Sequence, residues 1–525
     1  VSWQRRIGGR SGIDVELPEG CYSDDTQLRL AVGRSIRAHG FDPETFAKVE
    51  LPVWTNYALG GGRASKAAAA NIVSQSVPWF ANFFSGWPWA GGNGAAMRIQ
   101  PHIWAASTPA SIGPHIRDIV IDSAVTHGHP RALVGAIYHG LTLGYILQYG
   151  EIPEPAVWAD ILKDAHEAYI SLAEHPELSG IWLAQWNRET GEDFQLTWDA
   201  ATVEVDRMLS VGAKYAMSPL GSDQQQKVSF NQLINDLDLR EEKSRGSGTK
   251  TVVAALAIAK AYAARPADGL RMAARAIGTD TDTIATMAGA LLGAQADNSP
   301  PTEVLDADYI SREADRLARL ACDEANADDG FRYPDLLYWN PPRTQADAVR
   351  SVDGELELLG FGILKDVDTV GESRGFAWSW ATLPFGQKVI VKRRNSPVTH
   401  HNDDTEEALP ILDQHMMANK DSGTGATTTR RHAHPQHTTS YETRLYNAPD
   451  SRRNLLETQE PTSAHLHDSH SDLLNVDEIL SWAKKQGLTN NAIGYAVRRL
   501  AEKGSMEQLI AFITAVRSDI KKHES

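Results

Sequence analysis

Between residue 24 and about residue 330, apolar positions recur at three- and four-residue intervals, broken by Gly and Pro. This is the spacing of helices that turn one face to a core. It predicts helices over residues 26–39, 64–76, 114–126, 131–149, 156–174, 197–211, 251–264, 282–295 and 308–325. Runs such as ALVGAIYHGLTLGYI and TIATMAGALLGA are rich in Ala and Gly. Small residues let helix axes approach closely, so residues 1–330 read as a compact all-α, multi-helix domain.

After residue 330 the pattern changes. ELELLGFGILKDVDTV, RGFAWSW and QKVIVKRR read as strands, which makes 331–394 a small β-rich region. Residues 395–470 are dominated by His, Thr, Asn, Asp and Arg, too few large aliphatics to offset chain entropy, and read as a disordered linker. From 471 to 525 amphipathic spacing returns, and Gly487 and Gly504 divide the segment into a small three-helix unit. No internal repeat is evident.

Composition adds limits. At 525 residues the chain suggests two to four domains, and its 42% hydrophobic and 22% charged residues suit a folded protein. A net charge of −16 argues against a general electrostatic grip on nucleic acid, so a phosphate-bearing ligand needs a built site. Lys484, Lys485, Arg498, Arg499, Lys503, Arg517, Lys521 and Lys522 make the C-terminal helices basic, either a partner-docking or nucleic-acid-binding unit or, as the plainer reading, a solvated charged surface. The two cysteines, Cys21 and Cys322, lack metal-ligand spacing. No apolar run reaches the roughly 18 residues of a membrane span, and the first residues carry no signal-peptide core, so a cytoplasmic location is expected.

The chemistry concentrates in Ser23-Asp24-Asp25-Thr26 and Asp280-Thr281-Asp282-Thr283, each at a predicted helix start. Asp, Ser and Thr favour helix N-termini because their oxygens accept the free N–H groups there. A cap, however, uses one acidic residue, whereas these clusters crowd like charges that repel unless a cation intervenes. Hard oxygen ligands of this kind suit Mg²⁺. Between the clusters, GGNGAAMR offers backbone N–H groups without side-chain bulk, either as a phosphate cradle or as a simple turn before a helix. Arg98 within it reads equally as an anion clamp or a structural ion pair.

The segments YSDDTQLRLAVGRSI, GGNGAAMRIQP, VTHGHPRA and GTDTDTIATMAGALLGA, in this order, resemble the signature segments of the ADP-ribosylglycohydrolases. The resemblance spans residues 1 to about 300. It implies an all-helical domain holding two Mg²⁺ ions on Ser23, Asp24, Asp25, Asp280, Asp282 and Thr283. It also implies ADP-ribose contacts from Gly92, Asn93, Gly94 and His127, while His129 stays structural. Asp24, Asp25, Asp280 and Asp282 are the implied catalytic residues. The implied reaction is hydrolysis of the glycosidic bond between ADP-ribose and an acceptor in an ADP-ribosylated protein or related substrate. The family's G-D-A-x-G motif and the glutamate after it are not spelled before Ser23. That departure keeps open a second class, a non-catalytic ADP-ribose or nucleotide binder, and an unrelated Mg²⁺ phosphohydrolase is a third.

Overall fold

The computed structural model describes residues 3–219, 221–296, 303–324, 330–395 and 399–400, with parts of 476–523. By contact the chain divides into two units, Val1–Asn419 and Lys420–Ser525.

The first unit is built on helices. Those that matter for the site are α1 (Asp24–Arg34), α2 (Arg63–Gln75), α3 (Pro114–Thr126), α4 (Pro130–Tyr149), α5 (Phe194–Ala216), α6 (Gly248–Ala261), α7 (Thr281–Gln295) and α8 (Ala307–Ala321). The α4 helix is the hub. His129 caps it, Pro130 occupies its first turn, Gly150 ends it in the left-handed region, and most of its residues are buried all round. It crosses α6 so closely that a Cβ on Gly135 would lie 2.2 Å from the Gly248 carbonyl oxygen. The small residues thus do what their spacing predicts.

Boundaries move where tertiary contacts outweigh local spacing. The helix expected over 156–174 is two pieces, Trp158–Glu167 and Tyr169–Ala173. The one expected at 197–211 is longer, because Asp193 caps its start by accepting from Leu196 N. Helix α1 stops at Arg34, and a short hairpin of β3 (Ile36–Arg37) and β4 (Gly40–Phe41) follows.

The domain is mostly helical, as the spacing predicts, and the residues before Ser23 add a small β element to it. Strands β1 (Trp3–Ile7) and β2 (Ile13–Leu17) form an antiparallel hairpin. In the β-rich region, β5 (Val349–Val352), β6 (Glu355–Leu358) and β7 (Gly362–Ile363) make one antiparallel sheet, and β8 (Lys365–Ser373), β9 (Phe376–Thr382) and β10 (Lys388–Arg394) make another. The short β11 (Thr399–His400) pairs parallel with β5. Ala348, Val349, Leu358, Phe361, Val389 and Val391 join the main hydrophobic core, so residues 331–394 pack into the helical domain. The N-terminal hairpin packs Val15 and Leu17 with Leu59, Trp378 and Ile390.

A buried ion pair fixes α1 in this setting. Arg34 gives Nε and Nη2 to the two oxygens of Glu50 at 2.7 and 2.8 Å, and Nη1 to Tyr309 Oη and Gln387 Oε1 at 2.7 and 2.9 Å. Losing one partner of such a pair strands a buried charge, worth about 3–5 kcal/mol.

In the second unit, helices Val476–Lys485 and Met506–His523 bury Ala483, Phe512 and Val516 together with Ala496 and Leu500. Gly487, Gly504 and nearly all of the expected 395–470 linker lie outside the described residues. Among the described residues no helix is long and apolar enough to cross a membrane.

Candidate active site

Helices α1 and α7 meet end-on at a cleft of 1180 Å³. Ser23 and Asp280 stand at the N-cap positions of these helices, yet neither side chain makes a capping hydrogen bond. Ser23 Oγ instead donates to Asp25 Oδ2 at 3.1 Å, and Asp280 Oδ2 accepts from Asn93 Nδ2 at 3.0 Å. Asp282 Oδ1 accepts from the Thr283 N–H at 3.1 Å.

Asp24, Asp25 and Asp282 bring carboxylate oxygens within 4.8 Å of one another. Asp24 and Asp25 are buried, and Asp25 Oδ1 has no hydrogen-bond partner. A buried carboxylate oxygen without a donor is unfavourable unless something positive reaches it. Burial and the Asp282 charge push Asp24 up from 3.8 to about 6, although the Gly61 N–H and the Lys66 ammonium act the other way. Burial, with Asp282 and Asp24 as neighbours, holds Asp25 well above the usual carboxylate range, although the Thr283 hydroxyl acts the other way. Burial also raises Asp280 to about 6, while the Asn93 amide opposes it. A divalent cation is the species this donor set fits.

The glycine-rich loop is anchored, not a free turn. The Asn93 N–H donates to the Gly246 carbonyl at 2.9 Å and the Gly248 N–H to the Gly91 carbonyl at 3.0 Å, and Gly92 bridges Ser247. Arg98 is wholly buried beneath it, donating to the Gly94 carbonyl at 3.0 Å, to Asp122 Oδ1 at 3.0 Å and to Thr126 Oγ1 at 2.9 Å. Arg98 is therefore a structural brace and faces no ligand.

His127 lies in the cleft wall, and burial with the Arg98 charge lowers its pKa to about 3, so the ring is neutral. Its Nδ1 sits 2.7 Å from Thr126 Oγ1. That hydroxyl already accepts from Arg98, and donating its own proton to Nδ1 satisfies both groups. The proton of the imidazole then sits on Nε2, next to the loop, where a Cβ on Gly94 would be 3.1 Å away. His129 accepts from Arg131 N at 3.2 Å and caps α4.

A family model described as ADP-ribosylglycohydrolase matches residues 3–326. The chain belongs to the ADP-ribosylglycohydrolase family. A solved structure described as an ADP-ribosylglycohydrolase-related protein complex is 19% identical, covering 58% of this chain and 83% of its own, with a TM-score of 0.36. No curated protein matches.

In this family member Asp24, Asp25, Asp280, Asp282 and Thr283, singled out as ligands, and Gly92, Asn93, Gly94 and His127, singled out as substrate contacts, line one cleft, and Ser23 joins them through its hydrogen bond to Asp25. Others were missed. A Cβ on Gly60, at φ +139, would lie 1.9 Å from Asp24 Oδ1, so only glycine admits the carboxylate there. Arg5, Lys66, Trp89 and the 242–247 loop also line the cleft, and Trp89 is 57% exposed. The LGGGRASK stretch carried a signal, since three glycines before a helix bearing Lys repeat the logic of the GGNG loop.

Proposed function

We propose that the chain hydrolyses the glycosidic bond joining ADP-ribose to an acceptor, with two Mg²⁺ ions on Ser23, Asp24, Asp25, Asp280, Asp282 and Thr283. Asp25 is the observation that carries this reading: a buried carboxylate with an unpartnered oxygen, beside two other carboxylates, at the foot of a cleft walled by an anchored glycine loop. When bound, Mg²⁺ offsets the crowded negative charge, orients ribose hydroxyls and polarises water.

The chain's own groups do the rest. Gly92 and Gly94 offer the diphosphate backbone without side-chain bulk, while the Asn93 N–H, bonded to the Gly246 carbonyl, holds the loop to the 246–248 segment. The Asn93 amide keeps Asp280 aimed at the cluster, and His127 offers a neutral Nε2–H donor beside the loop. Trp89 presents an indole face at the cleft wall, suited to a planar base. In the reaction, water adds its oxygen to the anomeric carbon as the bond to the acceptor breaks. One proton of the water passes to a carboxylate of the cluster and a proton is returned from it to the departing acceptor, so the cluster ends in the protonation state in which it began.

The test is incubation of the full chain with Mg²⁺ and mono-ADP-ribosylated protein, followed by chromatography of the products. Intact ADP-ribose is expected, and Asp282→Ala abolishes it. Binding without release would make the chain a reader of ADP-ribose, and release of AMP would make it a phosphohydrolase.

A further inference from the structure

A second cavity, of 370 Å³, lies among the N-terminal hairpin, the Asn56–Gly60 segment and strands β9 and β10. Its charged lining is Arg5, Arg6, Lys66 and Lys392, and no Asp, Glu or His lines it. Arg6 is already committed, to Asp14 at 2.9 Å and to the Gly9 and Arg10 carbonyls. The other three form no short ion pair, although the Lys66 ammonium acts on Asp24 across the shared edge. Among the described residues, the side chains of Arg5 and Lys66 make no hydrogen bond or ion pair, and Lys392 rests its ammonium over the rings of Phe376 at 4.2 Å and Trp378 at 5.4 Å without an acidic partner. In a chain carrying −16 overall, grouping cations around a cavity without one carboxylate is a local reversal of sign.

The cavity adjoins the cleft. Arg5, Gly60 and Lys66 line both, and Gly60 packs against Asp24, whereas Gly92, Asn93 and Gly94 line only the cleft. An anion here therefore sits next to the carboxylate cluster by a route that bypasses the loop suited to the diphosphate. The turn of the hairpin that walls it is held in place, since a Cβ on Gly8 would lie 2.6 Å from the Trp378 ring. The volume admits about a dozen waters at roughly 30 Å³ each, room for one compact anion with its hydration and not for a polymer.

We propose that this cavity is an acceptor-side anion site, taking a phosphate monoester carried by a peptide acceptor next to the modified residue. The assignment to the acceptor rests on the hydrolase reading above; the anion site does not. Arg5 and Lys66 at the shared edge and Lys392 within supply charge-assisted donors for the phosphate oxygens. The net charge of −16 disfavours an extended nucleic-acid acceptor.

Two measurements on the full chain test this. In the first, inorganic phosphate is titrated calorimetrically into wild type, Lys392→Gln, Arg5→Gln and, as a control on β8, Lys365→Gln. Saturable binding is expected for wild type and the control, weakened ten-fold or more by Lys392→Gln and by Arg5→Gln. Absence of binding, or equal binding by all four, overturns the site. In the second, hydrolysis of an ADP-ribosylated peptide bearing an adjacent phosphoserine is compared with its unphosphorylated twin and with an ADP-ribosylated oligonucleotide. The phosphopeptide is expected to show a KM lower by ten-fold or more at similar kcat, with the advantage lost in Lys392→Gln. Equal KM values, or preference for the oligonucleotide, overturn the acceptor assignment and leave the hydrolase intact. Failure to cleave any of the three refutes the hydrolase reading and with it the acceptor assignment, and the phosphate titration then decides the anion site by itself.

Discussion

Removing the charge of Asp25 should make the metal-free protein more stable, not less. Asp25 Oδ1 is buried without a partner, and Asp24 and Asp282 bring further carboxylate oxygens within 4.8 Å. The magnitude follows from Asp24. Its rise from 3.8 to about 6 corresponds to about 3 kcal/mol at about 1.4 kcal/mol for each pKa unit. Because folding raises this pKa, the stability contributed by protonated Asp24 is fully present below pH 3.8 and is lost as pH rises through about 6. At neutral pH the metal-free fold thus holds a charge it disfavours, and a bound cation relieves it.

The assay is thermal unfolding of EDTA-stripped protein, followed by circular dichroism at about pH 5 and about pH 7.5, with and without Mg²⁺. For a unit of this size each kcal/mol moves Tm by about 2 °C, so Mg²⁺ should raise Tm on the order of 5 °C at the higher pH and much less at the lower. Asp25→Asn should raise the metal-free Tm at neutral pH by a few degrees and remove the Mg²⁺ response. A lower Tm for Asp25→Asn without metal, or a wild-type Mg²⁺ shift equal at both pH values, would refute the reasoning.

Three further outcomes are expected. Gly60→Ala combines a strained φ of +139 with a Cβ 1.9 Å from Asp24 Oδ1, and should weaken Mg²⁺ binding ten-fold or more in calorimetry while far-UV dichroism stays that of the wild type. Trp89→Ala removes the exposed indole from the cleft, and should raise KM by roughly 5- to 150-fold at near-constant kcat, since stacking of a base is worth about 1–3 kcal/mol. Arg98→Met leaves buried Asp122 with His102 Nε2, 3.3 Å from its Oδ2, in place of the arginine pair, and should lower stability by about 3–5 kcal/mol in urea unfolding; an unchanged midpoint would return Arg98 to the status of a ligand clamp.

How far the sequence alone could reach depends on the range over which each feature is decided. Local features were readable: Ser23 and Asp280 do stand at helix N-caps, and Gly135 and Gly144 do sit where α4 meets its neighbours, because spacing and small size are properties of a few consecutive residues. What separates a cap from a metal ligand is not local. Asp25 needs Asp282, on a helix some 250 residues away, before its orphan oxygen means anything, and only repetition of carboxylates in each cluster hinted at it. The LGGGRASK run marked Gly60 only as part of a glycine loop, since its φ and its contact with Asp24 belong to the fold.

The N-terminal hairpin is the extreme case. WQRRI and IDVEL carry weak alternation with few apolar residues, and their amphipathic face becomes a core only when Trp378 and Ile390 arrive from β9 and β10. Its cations could be read in the sequence as Arg5 and Arg6, but not their position. Arg6 turns to Asp14 within the hairpin, whereas Arg5 reaches the edge of the acidic cleft. A five-residue strand therefore supplies one arginine to structure and one to the site, and only the packing of the hairpin against Trp378 says which is which.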